Sequence, residues 1–166
     1  MPLFSPDLSK APFSGLLGAR RQAIVYGDVA RTNVTGDGTA YVPQLNAAYS
    51  DPSARWNVST FTYTAQEDGV FLVSVALRLS GVAAGHTTGV LDLVTTARSY
   101  RFACNPAQLR DGGNLATIET TGIVPLSASN TLSFSLTVSG STKTINLDGA
   151  AAGGPAVSYA SIIRIA

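Results

Sequence analysis

The chain carries one histidine, one cysteine and ten acidic residues. His86 stands among glycines and small residues, in Val82-Ala83-Ala84-Gly85-His86-Thr87-Thr88-Gly89. A general base needs a nucleophile or acid held beside it. No Gly-x-Ser-x-Gly or His-Glu-x-x-His pattern supplies one, so His86 reads as an exposed loop residue. Cys104 has only Arg101 near it in sequence to stabilise a thiolate, and a buried structural thiol is the expected role. A single cysteine excludes an internal disulfide, and with a single histidine it leaves few soft metal ligands. Asp37, between Gly36 and Gly38, and Asp111, before Gly112-Gly113, are the places where calcium would find carboxylate and carbonyl oxygens. Solvated turn acids are the commoner use of such positions, as at Glu67-Asp68. Trp56 and Tyr49 flank the Asp51-Pro52 turn. Exposed, they would stack on a sugar ring; buried, they would close one end of a barrel, which is the expected outcome. No catalytic residue, resident metal or cofactor is expected.

The composition narrows the partners. Only 13% of residues are charged and the net charge is +1, with lysine at Lys10 and Lys143 alone. No basic field exists to hold a phosphate backbone, so nucleic acid is not an expected partner. No run of 18 apolar residues would cross a bilayer, and no membrane is expected. Met1–Lys10 lacks the basic start and apolar run of a secretion signal.

The elements that must position any site are strands. From Gln22 onward the hydrophobic period is two. The candidates are Gln22–Tyr26, Ala40–Gln44, Thr60–Ala65, Val70–Ser80, Gly89–Ala97, Tyr100–Ala103, Leu115–Leu126, Thr131–Ser139, Thr142–Leu147 and Val157–Ile165, separated by Gly-, Asp- and Pro-containing turns. No helical stretch competes. Many short strands with regular turns indicate a sandwich or barrel. The chain divides once: residues 1–21 form an N-terminal arm and 22–166 the domain. The arm sets Phe4, Leu8, Phe13 and Leu16 among Pro, Ser and Gly and ends in Arg20-Arg21. Plain disordered tails seldom carry so many large apolar groups, so the arm reads as an extended anchor peptide rather than a loose end.

Two strands alternate most clearly. In Thr131–Ser139, Leu132, Phe134, Leu136 and Val138 share one face, and Ser and Thr fill the other. In Val70–Leu79, Phe71, Val73, Val75, Leu77 and Leu79 form the inner face, yet the outer face still carries Val70, Leu72, Ser74 and Ala76. Something should cover that second face.

Phe61–Gly81, FTYTAQEDGVFLVSVALRLSG, resembles the tumour necrosis factor and complement globular-head superfamily. Phe61-Thr62, the Glu67-Asp68-Gly69 turn and Phe71 match that family's strand, tight turn and long central strand. Leu45–Thr60 resembles the stretch ahead of that strand, Gly122–Gly140 the late hairpin, and SYASIIRIA the closing strand. The hairpin turn departs, with Ala128-Ser129-Asn130 where Gly-Asp is frequent. The resemblance covers residues 22–166. It implies an all-β, ten-strand jelly-roll sandwich and a homotrimer in which the inner sheet packs on its neighbour. On that basis Val70, Leu72, Ser74 and Ala76, small Ser133 and Ser135 near a threefold axis, and Tyr159 are expected at the trimer interface.

The functional expectation is a structural virion protein of a bacteriophage. It would be a trimeric capsid decoration or cement protein, or a short head or tail fibre knob, held to the major capsid protein or another virion protein by its arm. A neutral surface rich in Ser, Thr, Ala and Gly and the lack of a catalytic constellation fit that role. The alternatives are a receptor-binding tip for host glycan and a bacterial surface or spore-coat head domain. An enzyme is the least expected class.

Overall fold

In the computed structural model, which describes residues 22–150 and 156–166, alternation decides the architecture. Strands alternating apolar and polar must bury one face, and two antiparallel sheets do so against each other. Residues 1–21, with the expected anchor residues Phe4, Leu8, Phe13, Leu16, Arg20 and Arg21, lie outside the described residues.

The first sheet has seven strands built around β7 (Gly69–Ser80). Along one edge of β7 runs β10 (Ala116–Leu126), paired from Ala116↔Leu79 to Leu126↔Gly69. Two strands share the other edge. The strand β13 (Tyr159–Arg164) takes Phe71 to Ala76, and β12 (Ile145–Leu147) takes Leu79 and Ser80. Beyond β13 lie β1 (Gln22–Tyr26) and β4 (Ala47–Ser50); beyond β12 lies β2 (Arg31–Thr35). Ser158 seals the seam between β12 and β13. Its buried hydroxyl accepts from the Arg78 amide at 3.1 Å and donates to the Asp148 carbonyl at 2.6 Å.

The second sheet has six strands around β11 (Thr131–Ser139). On one side are β8 (Thr88–Thr95) and then β9 (Ser99–Cys104). On the other are β3 (Ala40–Tyr41) and β6 (Thr62–Thr64), with β5 (Trp56–Asn57) outermost.

Thirteen strand segments thus stand among the described residues where ten were expected. The additions β2, β4 and β5 are short and bury few side chains, so they lack the alternation that marks a strand in sequence. One turn of helix, α1 (Pro106–Leu109), also appears where none was expected. Asn105 caps it through Oδ1 to the Ala107 amide, and Pro106 at its start needs no donor.

The core is what the two clearest strands promised. Phe71, Val73, Val75, Leu77 and Leu79 face Leu132, Phe134, Leu136 and Val138 in one buried cluster. Trp56 stacks on Phe134 with ring centroids 6.1 Å apart, and Tyr63 meets Phe71 edge-on at 5.8 Å. Pro125 sits in β10, which among the described residues pairs only with β7. A strand with one free edge tolerates a residue with no amide proton.

Candidate functional site

The outward face of the seven-stranded sheet is the site the fold builds. Register places its side chains in rows across the strands, because paired residues point the same way. One row runs Ile123, Leu72, Ile163. The next is Thr121, Ser74, Ser161, Ile24, with Ser74 and Thr121 hydroxyls 2.9 Å apart. The third is Glu119, Ala76, Tyr159, Tyr26. Tyr49, from β4, packs on Tyr26 with centroids 4.5 Å apart. Val70 and Pro125 extend the face at one end, and Thr117 and Arg78 border it at the other. There the Arg78 guanidinium meets Asp148 at 3.5 Å.

This face carries apolar groups in two rows, with a row of hydroxyls between them, and is charged at one margin. Ile123 and Tyr49 are each 62% exposed and Tyr159 is 41% exposed, while Leu72 and Ile163 are half-buried by their neighbours. A shallow depression of about 420 Å³ lies among Ser74, Ala76, Glu119, Thr121 and Tyr159. Such a surface gains from being covered: burying a side chain like Ile or Leu is worth ~1.5–3 kcal/mol.

Five of the residues expected at an interface therefore lie together: Val70, Leu72, Ser74, Ala76 and Tyr159. Ser133 and Ser135 do not join them. They project from β11 on the outside of the six-stranded sheet, with the whole core between them and Leu72. Sequence reasoning overlooked Ile24, Tyr26, Tyr49, Ile123 and Ile163. The signal for Ile163 was present in SYASIIRIA, where Tyr159, Ser161, Ile163 and Ile165 share one parity. In β10 it was masked, because Ile123 points out and Ile118 and Val124 point in.

His86 departs most from expectation. It is fully buried rather than exposed. Its Nδ1 accepts the Ala83 amide at 2.9 Å, which places the proton on Nε2, and Nε2 donates to the Thr142 carbonyl at 3.1 Å. Its carbonyl also accepts from Ala107. Gly36 is part of the same clamp. Its φ is 130°, and a Cβ there would run into the Thr142 carbonyl and the His86 ring. Both ring nitrogens are spent on main-chain partners, so His86 ties loops together and has no free nitrogen for proton transfer.

The other candidates are also engaged. Trp56 is buried and its Nε1 donates to the Leu45 carbonyl at 2.7 Å, closing the end of the core. Tyr49 is exposed, so the pair flanking Asp51-Pro52 is split and cannot form a sugar platform. Asp51 holds the turn by accepting the Arg55 and Trp56 amides. Asp111 accepts the Gly113 and Leu115 amides, and Asp37 accepts the Thr39 amide. Hydrogen bonds from the Thr39 hydroxyl first and the Thr39 amide second hold the Asp37 carboxyl below its ordinary range. No group of three or more metal-ligating side chains stands among the described residues. Asp68 and Glu67 are not free turn acids. Asp68 accepts the Ala128 amide, and Arg164 reaches both the Asp68 carbonyl and Glu67. Cys104 is half-buried beside Gly89 and Pro106, and burial pushes its thiol pKa up. That is the wrong direction for a nucleophile.

No protein-family model matches the sequence, and no curated protein matches it. Solved structures do match in shape. The globular domain of zebrafish complement 1qA protein superposes with a TM-score of 0.52 at 14% identity, covering 87% of this chain and 94% of that one. Murine APRIL superposes with a TM-score of 0.54 at 10% identity, covering 87% of this chain and 98% of that one. At these identities the likeness is one of fold. The domain is an all-β sandwich of two antiparallel sheets with the jelly-roll shape of tumour necrosis factor and complement globular heads, as the motifs in Phe61–Gly81 and Gly122–Gly140 implied.

Proposed function

We propose that this chain is a non-enzymatic structural knob that assembles as a homotrimer through the outward face of its seven-stranded sheet. The observation that carries the proposal is the row Ile123, Leu72, Ile163 with Tyr159, Tyr26 and Tyr49 beside it. A monomer in water gains nothing from that arrangement, whereas a neighbour seated on it removes the apolar area from solvent. The resemblance to the tumour necrosis factor and complement globular-head superfamily implies the same sheet and three copies. The setting we propose is a bacteriophage virion, as a capsid decoration or cement protein or a short fibre knob. The low charge, the Ser- and Thr-rich surface and the apolar arm support it. The arm is the proposed attachment element, with Phe4, Leu8, Phe13 and Leu16 as plugs and Arg20-Arg21 as its basic end. Three arms on one trimer would act together, so weak contacts give firm attachment.

Light scattering on the purified chain under reducing conditions tests the assembly. Three copies are expected, and a stable monomer at micromolar concentration overturns it. Deleting residues 1–20 tests the attachment: the trimer should survive but no longer bind particles lacking it. A truncated chain that still decorates those particles would remove the arm from the proposal.

A further inference from the structure

Between β2 and β3, a cleft of about 440 Å³ is lined by Arg31, Asn33, Tyr41, Gln44 and Lys143 among others. It shares no residue with the assembly face. Two cationic side chains line it, and none of its lining residues is acidic. Two polar atoms are also left over there. Arg31 Nε and the Tyr41 hydroxyl are buried and make no hydrogen bond of good geometry. Leaving a buried donor unmet is costly, and more so when it belongs to a charged group. That both lie in one cleft is the feature to explain.

The donors agree in sign. Burial pushes the Tyr41 pKa up while the Arg31 charge and a weak contact from the Gln44 backbone pull it back; that contact reaches the oxygen, so the hydroxyl proton stays in place and able to donate at neutral pH. The Arg31 guanidinium offers a planar fork of N–H groups suited to a carboxylate or phosphate. Lys143 adds charge but also helps hold the Asp37 carboxyl low, so Arg31 is the principal anchor. Asn33 and Gln44 add amide groups that donate and accept, the pairing that sugar hydroxyls require.

We propose that this cleft binds an anionic sugar, its oxyanion seated against Arg31 and Tyr41 and its hydroxyls against Asn33 and Gln44. The oxyanion is either the carboxylate of a uronic acid or the phosphate of a sugar phosphate. This site does not depend on the trimer reading, since its lining and the assembly face are separate.

Calorimetric titration of the intact chain with glucuronate, glucose 6-phosphate, inorganic phosphate and glucose tests it. Saturable binding of glucuronate or glucose 6-phosphate, tighter than glucose and inorganic phosphate, is expected, and the stronger of the two names the oxyanion. Arg31→Gln should weaken that binding about tenfold or more, Tyr41→Phe and Lys143→Met by smaller factors, while light scattering shows the wild-type oligomeric state. If Arg31→Gln does not fold, Tyr41→Phe and Lys143→Met carry the same comparison. The proposal is overturned if neither anionic sugar binds, if glucose binds as well, if inorganic phosphate alone accounts for the affinity, or if the variants bind as the wild type does.

Discussion

The two outward faces of the sandwich are built on the same inner design and end differently. Inside, β7 and β11 each commit alternate residues to one core. Outside the six-stranded sheet, β11 shows Thr131, Ser133, Ser135, Thr137 and Ser139, and Asp92 and Arg101 form a two-pronged ion pair with both contacts at 3.0 Å. Val90 and Val94 are its main apolar members, both on β8. Outside the seven-stranded sheet, apolar residues come from β1, β4, β7, β10 and β13 at once. Scattered apolar residues on a surface are ordinary; a contiguous group drawn from five strands is not. The first face is mostly polar, whereas the second leaves apolar groups from five strands exposed or half-buried.

The largest expected effect bears on what both faces share. Phe134 is buried between the sheets and stacked on Trp56, so Phe134→Ala should cost ~3–5 kcal/mol in urea unfolding. A loss no larger than that of a surface change would mean the sheets do not share one core. Next comes the contrast itself, read by light scattering. Leu72→Asp puts an unpaired charge where a neighbour should seat and should weaken self-association on the order of 100-fold, about 2.7 kcal/mol. Ser135→Asp, on the other face, should leave assembly unchanged. Equal effects from the two would abolish the distinction between the faces.

Smaller is the effect at the seam where β12 and β13 share one edge of β7. Ser158→Ala strands the Arg78 amide and the Asp148 carbonyl and should cost about 1–3 kcal/mol, while a matched Ser133→Ala should be near neutral in the same unfolding assay. Smallest is the thiol at the end of β9. With its pKa raised by burial, Cys104 is less ionised at a given pH than a cysteine of the unfolded chain. Iodoacetamide at mildly alkaline pH should label the native protein more slowly than the urea-unfolded one. Linkage fixes the sign for stability: this contribution is present below the unfolded thiol pKa and lost as pH rises past the folded one. Equal labelling rates would show that the thiol is not shielded.

What could be read from the sequence tracks how many side chains an element buries. Phe71–Leu79 and Leu132–Val138 announce themselves because every inward position is a large apolar residue at a strict period of two. Arg31–Thr35 and Ala47–Ser50 bury too little to leave a period. The shared outward face of Val70, Leu72, Ser74 and Ala76 was legible because β7 is apolar or small on both sides, whereas Tyr159 lies on another strand; Ser133 and Ser135 were grouped with them by size alone, and size does not say which sheet a strand joins. His86 was illegible for a different reason. Its burial depends on Ala83, Thr142 and Gly36, which approach only after three loops have met. The cleft beside Arg31 and Tyr41 was equally hidden, since each residue is unremarkable in its own strand.

The place of β13 has a consequence for the order in which the molecule is made. That strand lies inside its sheet, between β7 and β1, and contributes Tyr159 and Ile163 to the outward face. It also emerges from the ribosome after every other strand of the domain. Until then β1 has no partner on that side and β7 lacks the neighbour for Phe71 to Ala76. Pairing the two ends of the domain is the longest loop closure in the fold, and such closures are paid before their contacts reward them. In the proposed trimer, copies would therefore meet only as finished chains, which would protect a face so rich in Ile, Leu and Tyr from sticking to half-made copies on the same messenger.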